Sequence, residues 1–390
     1  MGYFIDVAYD SLNKFGEELC GDKVEIIKNK DEVILVMSDG LGSGVKANIL
    51  ATLTTKIAAT MLREGSSIGE TVDTVVNTLP VCNVRKLAYS TFTIMKIKNN
   101  GDVYIVEYDN PPIFFIRDNK VVNLEKREFI INDKLIKESN FRLKKGDTLT
   151  AVSDGVIHAG VGGILNLGWQ WENVAEYLER ISSLEKSAKY ITKSLAEVCN
   201  NFYINKPGDD TTVVSVKLRE PEVVNLFTGP PTDESKDPWV VKQLMKGNGK
   251  KVVCGGTAAN IVSRELKEEI IVNLDYIDKE VPPTAKIKGI DLVTEGVLTL
   301  SKAVEKLKGF TGSDINGNIT LLGGKDGASQ LVKLLVEDCT HLNLYVGKAV
   351  NPAHQNPDFP VDLSIKLKIV SDLIRLIRSL GKDVNVIYIN

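Results

Sequence analysis

Two aspartates, Asp39 and Asp154, stand in the same three-residue word, Ser-Asp-Gly, and each word closes an apolar, β-branched run. The runs are Val33-Ile34-Leu35-Val36-Met37-Ser38-Asp39-Gly40 and Leu149-Thr150-Ala151-Val152-Ser153-Asp154-Gly155-Val156. A third acidic cluster, Gly208-Asp209-Asp210-Thr211-Thr212, opens a further run, Val213-Val214-Ser215-Val216. Asp22, in Cys20-Gly21-Asp22-Lys23, precedes the first strand. A carboxylate at a buried strand end is unfavourable unless a cation meets it. Three such strand ends suggest a shared cation, and an aspartate-only donor set suits hard Mg²⁺ or Mn²⁺. A glycine after the aspartate also lets its own carbonyl approach a metal. Carboxylates converging in this way can hold two metals, which activate water and clamp the oxygens of an in-line phosphoryl displacement. A single Asp-Gly after a strand is ordinarily a turn. Two Ser-Asp-Gly words with an Asp-Asp-Thr-Thr are not explained that way.

The pattern around these residues predicts the elements that position them. Residues 24–28 and 32–38 read as strands. A helix follows over 45–63, with Val45, Ile49, Leu53, Ile57 and Met61 near fourfold spacing, which predicts one buried face. A second helix is expected over 67–79, with Ser66-Ser67 as N-cap candidates and Pro80 beyond its end. The period then becomes two, and residues 88–97, 102–108, 112–117 and 120–124 read as a meander. Strand 147–153, helices 171–182 and 185–201 and strand 211–218 complete an α+β half. From Arg219-Glu220-Pro221 onward strands and helices alternate, which predicts an α/β domain with a mostly parallel open sheet. Its strands are expected at 222–227, 250–254, 289–294, 318–322, 342–346 and 383–389. The expected domains are therefore 1–219 and 220–390.

Composition narrows the function classes. The chain has 390 residues, enough for two domains. Residues 221–390 hold 21 basic and 21 acidic residues, leaving 27 and 30 for residues 1–220, so neither half has the basic footprint of a nucleic-acid binder. Five widely spaced cysteines without a C-x-x-C pair argue against disulfides or a thiolate zinc site and fit a reducing cytoplasm. Three histidines are too few for a His-rich zinc site. No apolar run reaches membrane-span length, and the first residues lack signal-peptide character.

In this order Gly21-Asp22, Ser38-Asp39-Gly40-Leu41-Gly42-Ser43-Gly44, Ser153-Asp154-Gly155-Val156 and Gly208-Asp209-Asp210-Thr211-Thr212 resemble the motifs of metal-dependent (PPM, type 2C) protein phosphatases, in particular the bacterial sporulation stage II protein E branch. Tyr89-Ser90-Thr91-Phe92, Asp109-Asn110-Pro111-Pro112 and Leu143-Lys144-Lys145-Gly146-Asp147 support the resemblance, which covers about residues 3–219. It implies a central β-sandwich flanked by helices and two Mn²⁺ or Mg²⁺ ions. The implied reaction is hydrolysis of phosphoserine or phosphothreonine by a two-metal-activated water, without a phosphoenzyme. Asp39 would bridge both metals, and the Gly40 carbonyl would bind one. Asp22 would serve the Gly40-side metal, partly through water, while Asp154 and Asp209 would hold the other. Asp210 occupies the neighbouring slot as the alternative to Asp209. Asp39 and Asp154 are thus the catalytic candidates.

No Arg lies close to Asp22 in sequence, which leaves phosphate recognition mainly to the metals. His158 reads as a surface residue or a neighbour of the ligands, and Ser43 as a helix N-cap. The 42–64 helix leads out of the metal-bearing loop and carries regulatory potential by that adjacency. The resemblance implies a phosphorylated regulatory protein as partner, such as an anti-sigma-factor antagonist, in a cytoplasmic bacterial signalling system. A homodimer is allowed; nucleic-acid and membrane partners are not expected.

In the second half, Gly255-Gly256-Thr257 forms a Gly-rich turn between a strand and a helix, either an anion site for a small effector or a tight turn with Thr257 as N-cap. Leu321-Leu322-Gly323-Gly324-Lys325-Asp326-Gly327 and Asp291-Leu292-Val293-Thr294-Glu295-Gly296 would share that sheet edge, and Asn351–Pro360, which includes His354, is a long loop, a lid or a connection. Residues 220–390 are expected to regulate the enzyme, bind a ligand or dock substrate. The alternative function is a catalytically weak, phosphatase-like sensor acting through this domain.

Overall fold

The computed structural model describes residues 2–78, 90–131, 134–184, 187–273, 281–312, 322–349 and 365–390. The expected strand at 318–322 (all but Leu322), the loop at 351–360 with His354, and Pro80 and Tyr89 lie outside the described residues. Two compact units divide the chain, Met1–Glu220 and Pro221–Asn390.

In the first unit β1 (Phe4–Leu12), β2 (Asp22–Lys28) and β3 (Glu32–Asp39) are followed by α1 (Gly44–Arg63) and α2 (Ile68–Thr78). Then come β4 (Phe92–Lys98), β5 (Asp102–Tyr108), β6 (Phe114–Arg117), β7 (Lys120–Val121), β8 (Arg127–Ile131), β9 (Lys134–Arg142) and β10 (Thr148–Val152). The short α3 (Asp154–Ile157), α4 (Trp171–Leu184), α5 (Ala188–Phe202) and β11 (Thr211–Arg219) complete it. One antiparallel sheet runs β1-β11-β10-β6-β7 and the other β2-β3-β4-β5-β9-β8. Alternate residues of both sheets, among them Val7, Leu35, Met37, Met95, Ile105, Leu149, Val214 and Val216, interlock in a core between them. The opposite face of the second sheet, with Ile34, Val36, Ile94 and Val106, is covered by Ala58, Ala59 and Leu62 of α1 and Val72, Val75 and Val76 of α2. This is the α+β sandwich flanked by helices that the sequence predicts.

Three expectations need correction. The row Val45, Ile49 and Leu53 does not face the core: these side chains are 59%, 53% and 47% exposed. The buried face is Ala47, Ala51, Thr54, Thr55, Ala58, Ala59 and Leu62. The helix backbone lies so close to the sheet that a Cβ on Gly40 would sit 2.1 Å from the Ala47 carbonyl oxygen. Only small side chains fit such a seam, and volume overrides hydrophobicity. The expected meander is not one sheet either: β4 and β5 stay in the six-stranded sheet, whereas β6 and β7 belong to the other, and the strand expected at 120–124 is only Lys120–Val121. The hairpin β8–β9 had no counterpart in the sequence pattern, because an edge hairpin of mostly solvated residues has weak apolar alternation.

The second unit contains β12 (Val223–Thr228), α6 (Asp237–Lys246), β13 (Lys250–Cys254), α7 (Gly256–Leu266), β14 (Ile271–Val272), β15 (Ala285–Lys286) and β16 (Leu292–Thr294). They are followed by α8 (Val297–Thr311), α9 (Gly327–Glu337), β17 (His341–Gly347), α10 (Ile365–Ser379) and β18 (Asp383–Ile389). Strands β16-β13-β12-β17-β18 are parallel in that spatial order, with β15 and β14 antiparallel at one edge. This is the expected mostly parallel open sheet. Its central strands β12, β13 and β17 are largely buried, with Leu226, Phe227, Val252, Val253, Leu344 and Val346 in the interior.

Candidate metal centre

The acidic strand ends gather at one end of the sandwich. Asp22 opens β2 and Asp39 closes β3, and the two are directly opposite in the ladder. Asp154 begins α3 one residue beyond Ser153 at the end of β10, while Asp209 and Asp210 immediately precede β11, the neighbour of β10. Register thus brings together from four distant segments what the sequence shows only as repeated words.

The two Ser-Asp-Gly words use the same construction. Ser38 Oγ donates to the Thr91 carbonyl at 2.7 Å, and Ser153 Oγ accepts the Thr212 amide at 2.8 Å, so each serine pins its word to the adjoining strand. Each glycine lies where another backbone presses close. A Cβ on Gly155 would be 2.1 Å from the Asp210 carbonyl oxygen, as one on Gly40 would be from that of Ala47. The aspartate between them is left to project.

Asp22 and Asp210 are buried, and among the described residues Asp22 Oδ1, Asp22 Oδ2 and Asp210 Oδ2 have no hydrogen-bond partner. The Thr212 and Ser153 hydroxyls near Asp22 are engaged elsewhere, Thr212 Oγ1 with Ser11 Oγ at 2.8 Å and Ser153 Oγ with the Thr212 amide. Burial first, then the charges of Asp22, Asp154 and Asp209, push the Asp39 carboxyl up to about 9. Burial also raises Asp22, to about 7, with Asp210 and Asp154 adding to it. Asp154 is raised by burial and by Asp209, against the opposing influence of His158. Among the described residues neither Asp22 nor Asp39 has an ion-pair partner. Asp209 and Asp210 are distinct in environment. Asp210 is buried, accepting the Lys14 amide at 3.0 Å on Oδ1, while Asp209 is half-exposed with Lys14 Nζ at 3.7 Å.

Uncompensated, mutually repelling carboxylates with unpartnered oxygens fit a divalent cation, as their donor chemistry does. Among the described residues no three His, Cys, Asp or Glu side chains stand in metal-ligand geometry.

Several supporting residues carried no assigned role in the sequence. Ser90 Oγ donates to the Asp39 carbonyl at 3.0 Å, Thr91 Oγ1 bonds the Asn110 side chain, and Asn110 Nδ2 donates to Thr93 Oγ1 at 2.9 Å. Asn48 of α1 donates to the Cys20 carbonyl at 2.7 Å, and the Tyr203 hydroxyl to that of Gly155 at 2.7 Å. The Ser-Thr and Asp-Asn-Pro-Pro words were the available signal. Ser43 does occupy the α1 N-cap, but its hydroxyl donates to Glu17 Oε1 at 3.0 Å and caps no amide. His158 is exposed. Beside Asp22 a groove of about 370 Å³ is lined in part by Tyr9, Ser11, Lys23, Thr52 and Lys56. Lys56 pairs with Glu25 at 2.7 Å, while Lys23 has no ion pair among the described residues.

In the second unit the Gly-Gly-Thr turn follows β13. Gly255, at φ 127°, is the α7 N-cap in place of Thr257, and no side chain caps the helix. Glu295 stands there: Oε2 accepts the Gly296 amide at 3.1 Å, and Oε1 would lie 3.6 Å from a Cβ on Gly256. The chain's own carboxylate therefore already faces this turn.

Residues 29–219, most of the first unit, match the family model described as Stage II sporulation protein E. Among solved structures, the chain is similar to the PP2C phosphatase domain with a regulatory fragment of SpoIIE from Bacillus subtilis, at 21% identity and TM-score 0.47, over 56% of this chain and 63% of that one. It is also similar to the RsbU and RsbW domains of a Mycobacterium tuberculosis protein (16%, TM-score 0.48, 62% and 69% of the two chains) and to the SiaA PP2C domain of Pseudomonas aeruginosa (16%, 0.44, 54% and 85%). No curated protein matches the sequence. Among the described residues no helix is long and apolar enough to cross a membrane.

Proposed function

We propose that residues 1–219 form a protein serine/threonine phosphatase and that residues 220–390 regulate it, bind an effector or dock its substrate. The carrying observation is the facing pair of buried Asp22 and half-buried Asp39, without a cation partner among the described residues and joined by Asp154 and Asp209. Asp39 would lie between two divalent ions, Mn²⁺ or Mg²⁺, with Asp22 and the Gly40 carbonyl on one side and Asp154 and Asp209 on the other. Asp210 backs Asp22 from within. Bound, such ions lower the pKa of water and offset the charge of phosphate oxygens. The chain's own residues do the rest. The Ser38–Thr91 and Ser153–Thr212 bonds hold the aspartates in place, and burial raises the pKa of Asp39 and Asp22, so that a bound cation would offset the charge they are reluctant to carry. Lys23, in the groove beside Asp22, would meet the phosphoprotein where other members use arginine. The substrate would be a phosphorylated regulatory protein such as an anti-sigma-factor antagonist, in bacterial signalling.

The test compares Mn²⁺-dependent hydrolysis of an aryl phosphate and of a phosphoserine protein by wild type and Asp154→Ala. Release by wild type alone is expected. If neither protein releases phosphate from either substrate, the enzymatic reading fails. The alternative is a catalytically weak sensor acting through residues 220–390. Tight Mn²⁺ binding without turnover would select it.

A further inference from the structure

Asp39 is the last residue of β3, where that strand parts from β4. The register runs from Met37 opposite Thr93 to a bridge between Gly40 and Ser90, which sets Asp39 opposite Thr91. The Thr91 amide donates to the Asp39 carbonyl at 2.9 Å, as an antiparallel ladder requires. Side chains complete the step. The Thr91 carbonyl accepts Ser38 Oγ at 2.7 Å, and the Asp39 amide donates to Thr91 Oγ1 at 3.4 Å. Three groups of one threonine thus grip the main chain on both sides of the aspartate.

The 3.4 Å contact is long, and it holds only while the hydroxyl turns its oxygen, and not its proton, toward Asp39. Asn110 sets that orientation. Its Oδ1 accepts the Thr91 hydroxyl, and its Nδ2 donates to Thr93 Oγ1 at 2.9 Å. Thr93 is buried, so the amide is committed there and its oxygen faces Thr91. A chain of bonds therefore runs from the Asp39 amide through Thr91 to Asn110. Asn110 lies on the crossover from β5 to β6, which carries the chain from one sheet to the other, between Asp109 at φ 55° and Pro111-Pro112. The crossover has its own closure, because Glu107 Oε1 accepts the Ile113 amide at 2.9 Å across it. The reach of Asn110 back to two threonines of the neighbouring strand is not needed to make the turn.

We propose that Asn110, acting through Thr91, is a positioning residue for the metal centre. It fixes the main chain at Asp39 so that the Asp39 carboxylate and the Gly40 carbonyl are held ready for one divalent ion. This rests on the metal-dependent reading of the site.

The test uses the full chain and reads Mn²⁺ binding without substrate, by calorimetry and by the electron paramagnetic resonance of the bound ion. Asn110→Ala and Thr91→Val should each weaken Mn²⁺ binding about 10–100-fold, as for groups that orient metal ligands, and should alter the bound-ion spectrum. Thr91→Ser keeps the hydroxyl and should restore both. Because the two residues act in one chain of bonds, the double variant should bind no more weakly than the worse single variant. An Asn110→Ala chain that melts at a lower temperature yet binds Mn²⁺ as wild type does would make Asn110 a turn residue and overturn the proposal. Losses that add in the double variant, or a Thr91→Ser chain as weak as Thr91→Val, would overturn it too. If Asn110→Ala does not fold, Asn110→Leu, of similar size and without the amide, is read in its place. Failure of the phosphatase reading looks different: wild type would bind Mn²⁺ and release no phosphate while the variants still lost affinity. A wild type that binds no Mn²⁺ overturns both.

Discussion

At the residue scale, the two Ser-Asp-Gly words are one device used twice. Serine fixes the loop, glycine admits a neighbouring backbone, and aspartate projects towards the other acids. Replacing either serine by alanine should leave the fold intact and weaken Mn²⁺ binding or turnover by about 10–100-fold, as for groups that orient metal ligands. Calorimetric Mn²⁺ titration of Ser38→Ala and Ser153→Ala measures this. The acids also make a prediction about pH. Asp22 and Asp39 are raised in the folded chain relative to an exposed aspartate, so between the ordinary aspartate range and about 9 the folded state holds more protons than the unfolded. Stability of the metal-free protein should therefore be greatest at the acid end of that window and fall as pH rises through it. Asp39→Asn should flatten the fall, and Mn²⁺ should raise the melting temperature more at pH 8 than at pH 5.5. A melting temperature that rises with pH in wild type without metal contradicts this account. At the same scale, Lys23→Ala should raise KM for a phosphoprotein with little change in kcat, which steady-state kinetics would show.

At the element scale, α1 is the instructive case. Its sequence offers two candidate faces: a fourfold row of large aliphatic residues and a face of alanines and threonines. Periodicity chooses the first and close packing chooses the second, because the sheet approaches to within one small side chain of the helix. Ala51→Leu should therefore destabilise the chain by about 1–3 kcal/mol through overpacking. Ile49→Ser and Leu53→Gln should change stability by no more than about 0.5 kcal/mol, as expected for exposed positions. Chemical denaturation compares the two sets directly. The capped helices were easier to place. Ser67 and Glu70 form a reciprocal capping box at the start of α2, and Asp326 caps α9 through the Ser329 amide at 2.9 Å. Strong local hydrogen-bonding signals survive translation into structure better than a hydrophobic stripe does.

At the scale of the whole molecule, the chain carries two units with separate cores, an antiparallel sandwich and a parallel sheet. Scanning calorimetry should resolve two transitions. Mn²⁺ is expected to move one of them and leave the other in place. A single transition shifted by Mn²⁺ would show that the units unfold together.

The sequence by itself determined the strand ends that carry aspartate, the order of the phosphatase motifs and the change from antiparallel to alternating architecture near residue 220. These are local: β-branched runs, turn residues and a carboxylate in the wrong solvent are visible one segment at a time. Only the tertiary structure decided that Asp22 faces Asp39 and that Asp210 turns inward while Asp209 turns out. It alone showed that α1 packs by its smallest residues. Those outcomes depend on ladder register and on the distance between a helix and a sheet. Each is set by segments far apart in the chain, so no single window of the sequence contains it.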